Sequence, residues 1–339
     1  MQRKTYTFSG KKTVYYFNAE FALLEQLVDP AKAVIVTDKH VYNAHGRKFK
    51  GWKTIILEPG EEHKIQSTVD SIIQQLIAYG ADRKSWLIGV GGGVVTDITG
   101  YAAAIYMRGI NFGFVPSSLL AMVDASIGGK NGIDVGPYKN LAGTIRQPAF
   151  LLYDSAFLKS LPQTEWVNGF AEIIKHACIK DARLFKELQH NDLAYYRKNI
   201  DALGKLVQKN ATIKSNVVLH DEFEQGDRKL LNFGHTWGHA IETKYALPHG
   251  HAVAIGMVMA CRISETLTGF THTSKVVDMI EKYGLPTQLE VNKKEVFEVL
   301  KMDKKKVSTA MSYVLLDEIG KGVIKNIPLD KLEALVNAN

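Results

Sequence analysis

His235 and His239 stand four residues apart, so on a helix both imidazoles project from one face. An H-x-x-x-H pair of that geometry can bind zinc. A protease helix would also supply a glutamate base between them, and Trp237 and Gly238 do not. A lone pair of helical histidines is more often structural than metal-binding. Four further donors lie in the same half of the chain, namely Glu172, His176, His249 and His251. An oxygen and nitrogen set without thiolate suits a divalent ion such as zinc in an open, catalytic site. Spacing alone does not choose three ligands from these donors.

A second chemistry lies earlier in the chain. Residues 86–90 (WLIGV) are an apolar run long enough for a buried strand and too short for a helix. Gly91, Gly92 and Gly93 permit a sharp turn, and Val94, Val95, Ile98, Tyr101, Ala102 and Ile105 then recur at helical spacing. Strand, glycine turn and helix start are the parts of a phosphate site, because the first helical N–H groups point at an anion. The glycines do not spell G-x-G-x-x-G, so that dinucleotide fingerprint is absent. Asp38 ends the β-branched run 33–37, where α/β dinucleotide sites bind a ribose hydroxyl; a plain turn aspartate would look the same. Beyond the helix, Arg108, Asp124, Lys130, Lys139 and Asn140 are set among glycines and small residues, and segments 115–118 and 127–132 read as loops.

These residues carry a resemblance. After GGGVVTD come VPSSLLAMVDASIGGK (115–130), Lys139-Asn140 and Gln147-Pro148, then LNFGHTWGHAIE (231–242) and HGHAVAIGM (249–257). The order and wording of these motifs resemble the 3-dehydroquinate synthase family over most of the chain. The resemblance implies NAD contacts at Asp38, Glu61, Lys64, Gly92, Gly93, Val94, Asp97, Ser117, Ser118, Lys130, Lys139 and Ser160. It implies a divalent metal, zinc or cobalt, on Glu172, His235 and His249, with His239 on the phosphate side and Glu242 a structural helix residue. One departure matters: HGH places His251 where the family usually has glutamate, and a second imidazole there would compete for the ion. The substrate groups implied are Arg108, Asp124, Lys130, Asn140, Lys175, Lys214, Arg228, Asn232, His239 and Lys304. Such cations suit a small substrate with both phosphate and carboxylate, each contact being worth about 4 kcal/mol of gross Coulomb energy at ~4 Å and an effective dielectric near 20.

The activity implied is conversion of 3-deoxy-D-arabino-heptulosonate 7-phosphate to 3-dehydroquinate and phosphate, by transient oxidation, β-elimination, reduction and aldol closure. An acid at position 38 fits NAD better than NADP. A homodimer is expected, with Arg108 acting across the subunit boundary. Three rival readings remain. They are another sugar-phosphate cyclase of the sedoheptulose 7-phosphate type, a metal-dependent polyol dehydrogenase, and a non-catalytic metal or nucleic-acid binder.

The elements that must hold these groups follow from pattern. Residues 4–8, 13–17, 33–37 and 54–57 read as strands, and 21–28 and 67–78 as helices, the latter with a Ser67-x-x-Asp70 capping box. Alternating strands and helices up to residue 154 predict a Rossmann-like parallel sheet in an NAD-binding α/β domain, 1–154. Residues 155–339 predict a mainly α-helical domain for metal and substrate, with two β-like runs around Gly320 and Gly322. At 339 residues, 46% hydrophobic and 23% charged, the chain has the composition of a soluble two-domain protein. The basic residues behind the +7 charge are scattered rather than interleaved with aromatics, which argues against nucleic acid. No run is long enough to span a membrane, the first residues lack a signal-peptide core, and Cys178 and Cys261 imply no disulfide framework. The cytoplasm is the expected compartment.

Overall fold

The computed structural model describes residues 1–136, 138–304 and 309–338, without the side chains of 302–304. The chain packs as two compact units: Met1–Glu165 with Ile200–Phe223, and Trp166–Asn199 with Glu224–Asn339.

The first unit is built on a seven-stranded sheet. In chain order its parts begin with β1 (Gln2–Phe8), β2 (Lys11–Phe17), α1 (Leu24–Leu27), β3 (Ala33–Asp38), α2 (Lys39–His45) and β4 (Lys53–Leu57). They continue with α3 (Gln66–Ala78), β5 (Trp86–Gly91), α4 (Gly93–Ile105), β6 (Asn111–Pro116), β7 (Lys130–Val135), β8 (Tyr138–Ile145) and β9 (Phe150–Leu152). Strand order is β1-β2-β9-β6-β5-β3-β4, antiparallel between β1 and β2 and parallel elsewhere. The central strands are apolar throughout because both sheet faces are covered. Ala33 to Val36, Leu87, Ile88 and Val90 are all buried. Order reverses between β3 and β5, so Asp38 and Gly91 end neighbouring strands at the switch point, where open α/β sheets bind ligands.

Four local expectations need correction. The helix expected over 21–28 is a 3-10 turn, Phe21–Leu23, followed by α1. The capping box does not form. The N-cap of α3 is Ile65, so Ser67 falls inside the first turn, and Asp70 instead accepts from Gln66 Nε2 at 2.8 Å. The segment 127–132, read as loop, enters β7, which pairs antiparallel with β8 in a separate two-stranded sheet. Gly128 and Gly129, with φ +101° and +73°, do turn the chain, whereas Gly132 serves close packing, since a Cβ on it would lie 2.7 Å from the Ala142 carbonyl oxygen. Val115 and Pro116 likewise end β6 rather than opening a loop.

The second unit is mainly helical. It holds most of α5 (Gln163–Lys180), then α6 (Ala182–His190) and α7 (Leu193–Lys198). The next helix, α8 (Ile200–His220), belongs with the first unit, where Ser215 Oγ donates to the Tyr15 hydroxyl of β2 at 3.0 Å. The chain then returns through α9 (His235–Tyr245), α10 (His249–Thr268), α11 (Thr273–Lys282) and α12 (Lys293–Lys304). The β10 (Ala310–Glu318) and β11 (Lys321–Pro328) hairpin and α13 (Leu329–Ala338) close it. None of the described helices is long and apolar enough to cross a membrane.

Helices α9 and α10 touch backbone to backbone. Gly234 has φ +79°, and a Cβ on Gly256 would lie 1.9 Å from the Gly234 carbonyl oxygen. Gly256→Ala should therefore destabilise the fold by about 1–3 kcal/mol through overpacking, read as a lower denaturation midpoint. An unchanged midpoint would mean that the two helices separate at no cost.

Candidate active site

In the second unit, three helices deliver one donor each to a common point. Glu172 sits in the middle of α5, completely buried. His235 is the first residue of α9, and His249 is the first of α10, so the Gly234–Gly256 contact sets the spacing of the two imidazoles. Glu172 Oε1 lies 3.4 Å from His235 Nε2 and 3.1 Å from His249 Nε2. Ligand atoms of these three residues all fall within 4.8 Å of one another, close enough for one ion.

The far sides of both rings are already engaged. His235 Nδ1 lies 3.1 Å from the Phe233 carbonyl oxygen, and His249 Nδ1 lies 3.4 Å from Glu242 Oε2. With an ion bound, an Nδ1–H donating outward would leave each Nε2 as the ligand lone pair, the arrangement by which outer partners orient metal-binding histidines. His239, Glu242 and His249 form a second group of three donors. In that group Glu242 sits on the Nδ1 side of His249, as an orienting carboxylate would. Among the described residues His251 is in no such group of donors.

Charge in the cluster is tightly balanced. Burial works against ionising Glu172, but the Lys175 ammonium, His235 and hydrogen bonds from both histidines hold its carboxyl well below the usual range. Lys175 is ion-paired to Glu172 Oε2 one turn along α5 and is itself 1% exposed. Burial, then the Lys175 charge, keeps His235 below the ordinary histidine value. Burial would do the same to His249, yet its bonds to Glu172 and Glu242 push it up to about 10.

In the same unit, Arg228 is buried in the 3-10 turn Asp227–Asn232, and Asn232 Nδ2 donates to Glu224 Oε1 at 2.6 Å. His239 is exposed on α9, its ring centroid 5.1 Å from that of His235. The side chain of Lys304 lies outside the described residues.

The first unit gathers a different set. Gly92 caps α4 with no side-chain bond, so the helix start is presented by backbone alone. Lys64 is 4% exposed and donates to Asp97 Oδ2 and to Asn140 Oδ1, both at 2.6 Å, with Glu61 at 3.8 Å. Asp124 lies in a π-helical turn, Ala121–Ala125, and pairs with Lys214 of α8 at 2.8 Å. Asp38 caps α2, its Oδ1 accepting from the Val41 N–H at 2.9 Å. Ser117 and Ser118 are buried beside the glycine turn, where the Ser117 N–H donates to the Gly91 carbonyl at 2.8 Å. Val94 is half-buried in the first turn of α4 beside Gly93. Ser160 bonds His45 Nε2 at 2.7 Å. Arg108, Lys130 and Lys139 are exposed, Arg108 with φ +66°.

Two site residues escape the motif reading. Glu242 was expected to be a structural helix residue, and it faces His249; its position seven after His235 and three after His239 was the available signal. Asp134 is the other, bonded to a motif residue through the Asn140 N–H that its Oδ1 accepts at 2.7 Å, and no spacing marks it.

This architecture, a mostly parallel α/β sheet followed by a largely helical region, is a dehydroquinate synthase-like fold. A structure of 2-deoxy-scyllo-inosose synthase complexed with carbaglucose-6-phosphate, NAD+ and Co2+ superposes with TM-score 0.87 at 23% identity, covering 100% of both chains. One of 2-epi-5-epi-valiolone synthase from Streptomyces hygroscopicus subsp. jinggangensis 5008, with NAD+ and Zn2+ bound, gives 0.86 at 25% identity, covering 100% of this chain and 99% of that one. The family models "3-dehydroquinate synthase N-terminal" and "3-dehydroquinate synthase C-terminal" match residues 54–168 and 169–306. The 3-dehydroquinate synthase of Pyrococcus abyssi is 40% identical over 82% of each chain, and that of Campylobacter concisus 40% identical over 89% of this chain and 90% of its own. The chain belongs to the 3-dehydroquinate synthase family, and it is an enzyme.

If Glu242 orients His249, Glu242→Ala should weaken binding of a divalent ion by about 10–100-fold while the fold persists. Metal titration followed by circular dichroism checks this, and unchanged affinity would make Glu242 a bystander.

Proposed function

We propose that the chain converts 3-deoxy-D-arabino-heptulosonate 7-phosphate to 3-dehydroquinate and orthophosphate, using NAD and a divalent metal. Convergence of two imidazole Nε2 atoms on one buried carboxylate, in a chain matched by both family models, carries this reading. The residues fit the groups required. Glu172, His235 and His249 offer an all-oxygen-and-nitrogen set suited to zinc, with cobalt acceptable. The β3–β5 switch point, the uncapped start of α4 and the Lys64–Asp97 pair suit a dinucleotide, with Asp38 favouring NAD over NADP.

Held by Glu172, His235 and His249, a metal would supply Lewis-acid polarisation of a substrate hydroxyl, and NAD at the glycine turn would supply a reversible hydride acceptor. The protein's own part is positioning. Phe233 and Glu242 fix the two rings, and Lys175 keeps Glu172 ionised. Lys130, Lys139, Asn140, Lys214, Arg228, Asn232 and Lys304 supply charge and hydrogen bonds for phosphate and carboxylate. Asp124, Lys175 and His239 help place the groups that exchange protons. In the substrate, a hydroxyl becomes a ketone, the acidified neighbouring C–H loses its proton as phosphate leaves, and the ketone is reduced again. Ring opening and an intramolecular aldol addition then close the carbocycle. The reading places the enzyme in the cytoplasm, where free thiols such as those of Cys178 and Cys261 persist.

Purified protein with zinc and catalytic NAD is expected to release phosphate from the heptulosonate phosphate with no net NADH. Stoichiometric NADH would mean a polyol dehydrogenase, and turnover of sedoheptulose 7-phosphate alone would mean another cyclase. His235→Ala should lose bound metal on purification, and normal zinc content in that variant would remove the ligand assignment.

The chain is also expected to pair with a second copy. Val135, Tyr138, Leu141 and Ile145 are exposed apolar side chains of the β7–β8 sheet, Leu141 by 63%, and exposed apolar surface is what a partner copy would cover. Arg108 is then available to act across the boundary. Sedimentation velocity should show a dimer that Leu141→Asp converts to monomer; a wild-type monomer would exclude the pairing.

A further inference from the structure

We infer that Asp134 is a positioning residue for the dinucleotide site, acting through Asn140 and Lys64 in a closed ring of three hydrogen bonds; this rests on the NAD-dependent reading above. The Asp134 backbone N–H donates to the Lys64 carbonyl oxygen at 2.7 Å. The Asp134 carboxylate, through Oδ1, accepts the Asn140 backbone N–H at 2.7 Å. The Asn140 side-chain oxygen accepts from the Lys64 ammonium at 2.6 Å, which returns the ring to its start.

Each member needs the others. A buried ammonium carries three donors and must find acceptors for them. Lys64 finds Asp97 and Asn140 at hydrogen-bond distance, with the Glu61 carboxylate farther off at 3.8 Å. Asn140 reaches it only from a left-handed backbone, φ +53°, a region that asparagine enters more readily than most residues but seldom without a local bond. Asp134 supplies that bond. It can do so because the β7–β8 register slips between Ile133 and Val135, which takes Asp134 out of the regular ladder and re-aims it. Removing the carboxylate frees the Asn140 backbone, draws its side-chain oxygen off Lys64, and leaves the ammonium steered by Asp97 and the more distant Glu61. Asp97 stands on α4 one turn beyond the glycine turn, so the disturbance arrives at the cofactor's expected place.

The consequence is specific, because the acceptor matters and not the charge. Asparagine at 134 retains a side-chain carbonyl oxygen where Oδ1 now lies, whereas alanine does not. Full-length wild type, Asp134→Asn and Asp134→Ala are compared by calorimetric NAD binding, by KM for NAD and kcat, and by thermal midpoint. Asp134→Ala should raise Kd and KM for NAD on the order of tenfold with the midpoint little changed, while Asp134→Asn stays within about twofold of wild type. Three results would overturn the inference: wild-type NAD affinity in the alanine variant, an asparagine variant as weak as alanine, or a fall in kcat and midpoint with KM unmoved. A wild-type protein that binds no NAD at all would instead remove the cofactor reading and the inference with it.

Discussion

A carboxylate with no exposure to water is the constraint on which the helical unit depends. Desolvating Glu172 is costly, and only opposite charge and hydrogen bonds at close range keep it ionised. Lys175 supplies the first, from the next turn of the same helix, and the two imidazoles supply the second. The demand propagates outward. Each ring must present Nε2, so each Nδ1 needs an acceptor, and those acceptors are the Phe233 carbonyl and Glu242. The rings must also be close, so α9 and α10 meet at glycines rather than at side chains. A cluster bound this tightly is a poor source of stability and a good source of fixed geometry, which is what a catalytic ion requires.

The sheet-based unit meets the same problem with other parts. Lys64 and Lys214 are buried ammonium groups, each matched to an aspartate at hydrogen-bond distance. Both aspartates sit where the backbone departs from regularity or begins a helix: Asp124 in the π-helical turn, Asp97 near the start of α4. Irregular backbone exposes polar groups that a regular ladder would consume, and the charged pairs occupy those places.

Much of this was legible in the amino-acid order, for physical reasons that differ by element. The β3 and β5 strands were readable because burial on both sheet faces requires an unbroken apolar run. Glu172, His235 and His249 were reachable only through motif likeness, since spacing left several donors open. The β7–β8 sheet was hidden by its glycines, which ordinarily signal a turn and here permit close strand contact. Glu242 was hidden because an acidic residue on a helix is usually solvated, and nothing local reveals that a histidine from the next helix will reach it. Asp134 was hidden because its role arises from a register slip, and registers are set by partners remote in the chain.

The association of α8 with the sheet has a consequence for biosynthesis. The strands of the first unit leave the ribosome well before Ser215, whose hydroxyl completes the bond to Tyr15, and α5 to α7 emerge in between. The nascent sheet therefore waits, one of its layers still missing, while part of the other unit is already outside the exit tunnel. Chains that must hold an unfinished surface during elongation expose apolar groups to aggregation and to chaperones. For this protein that exposure ends only when translation has passed residue 223.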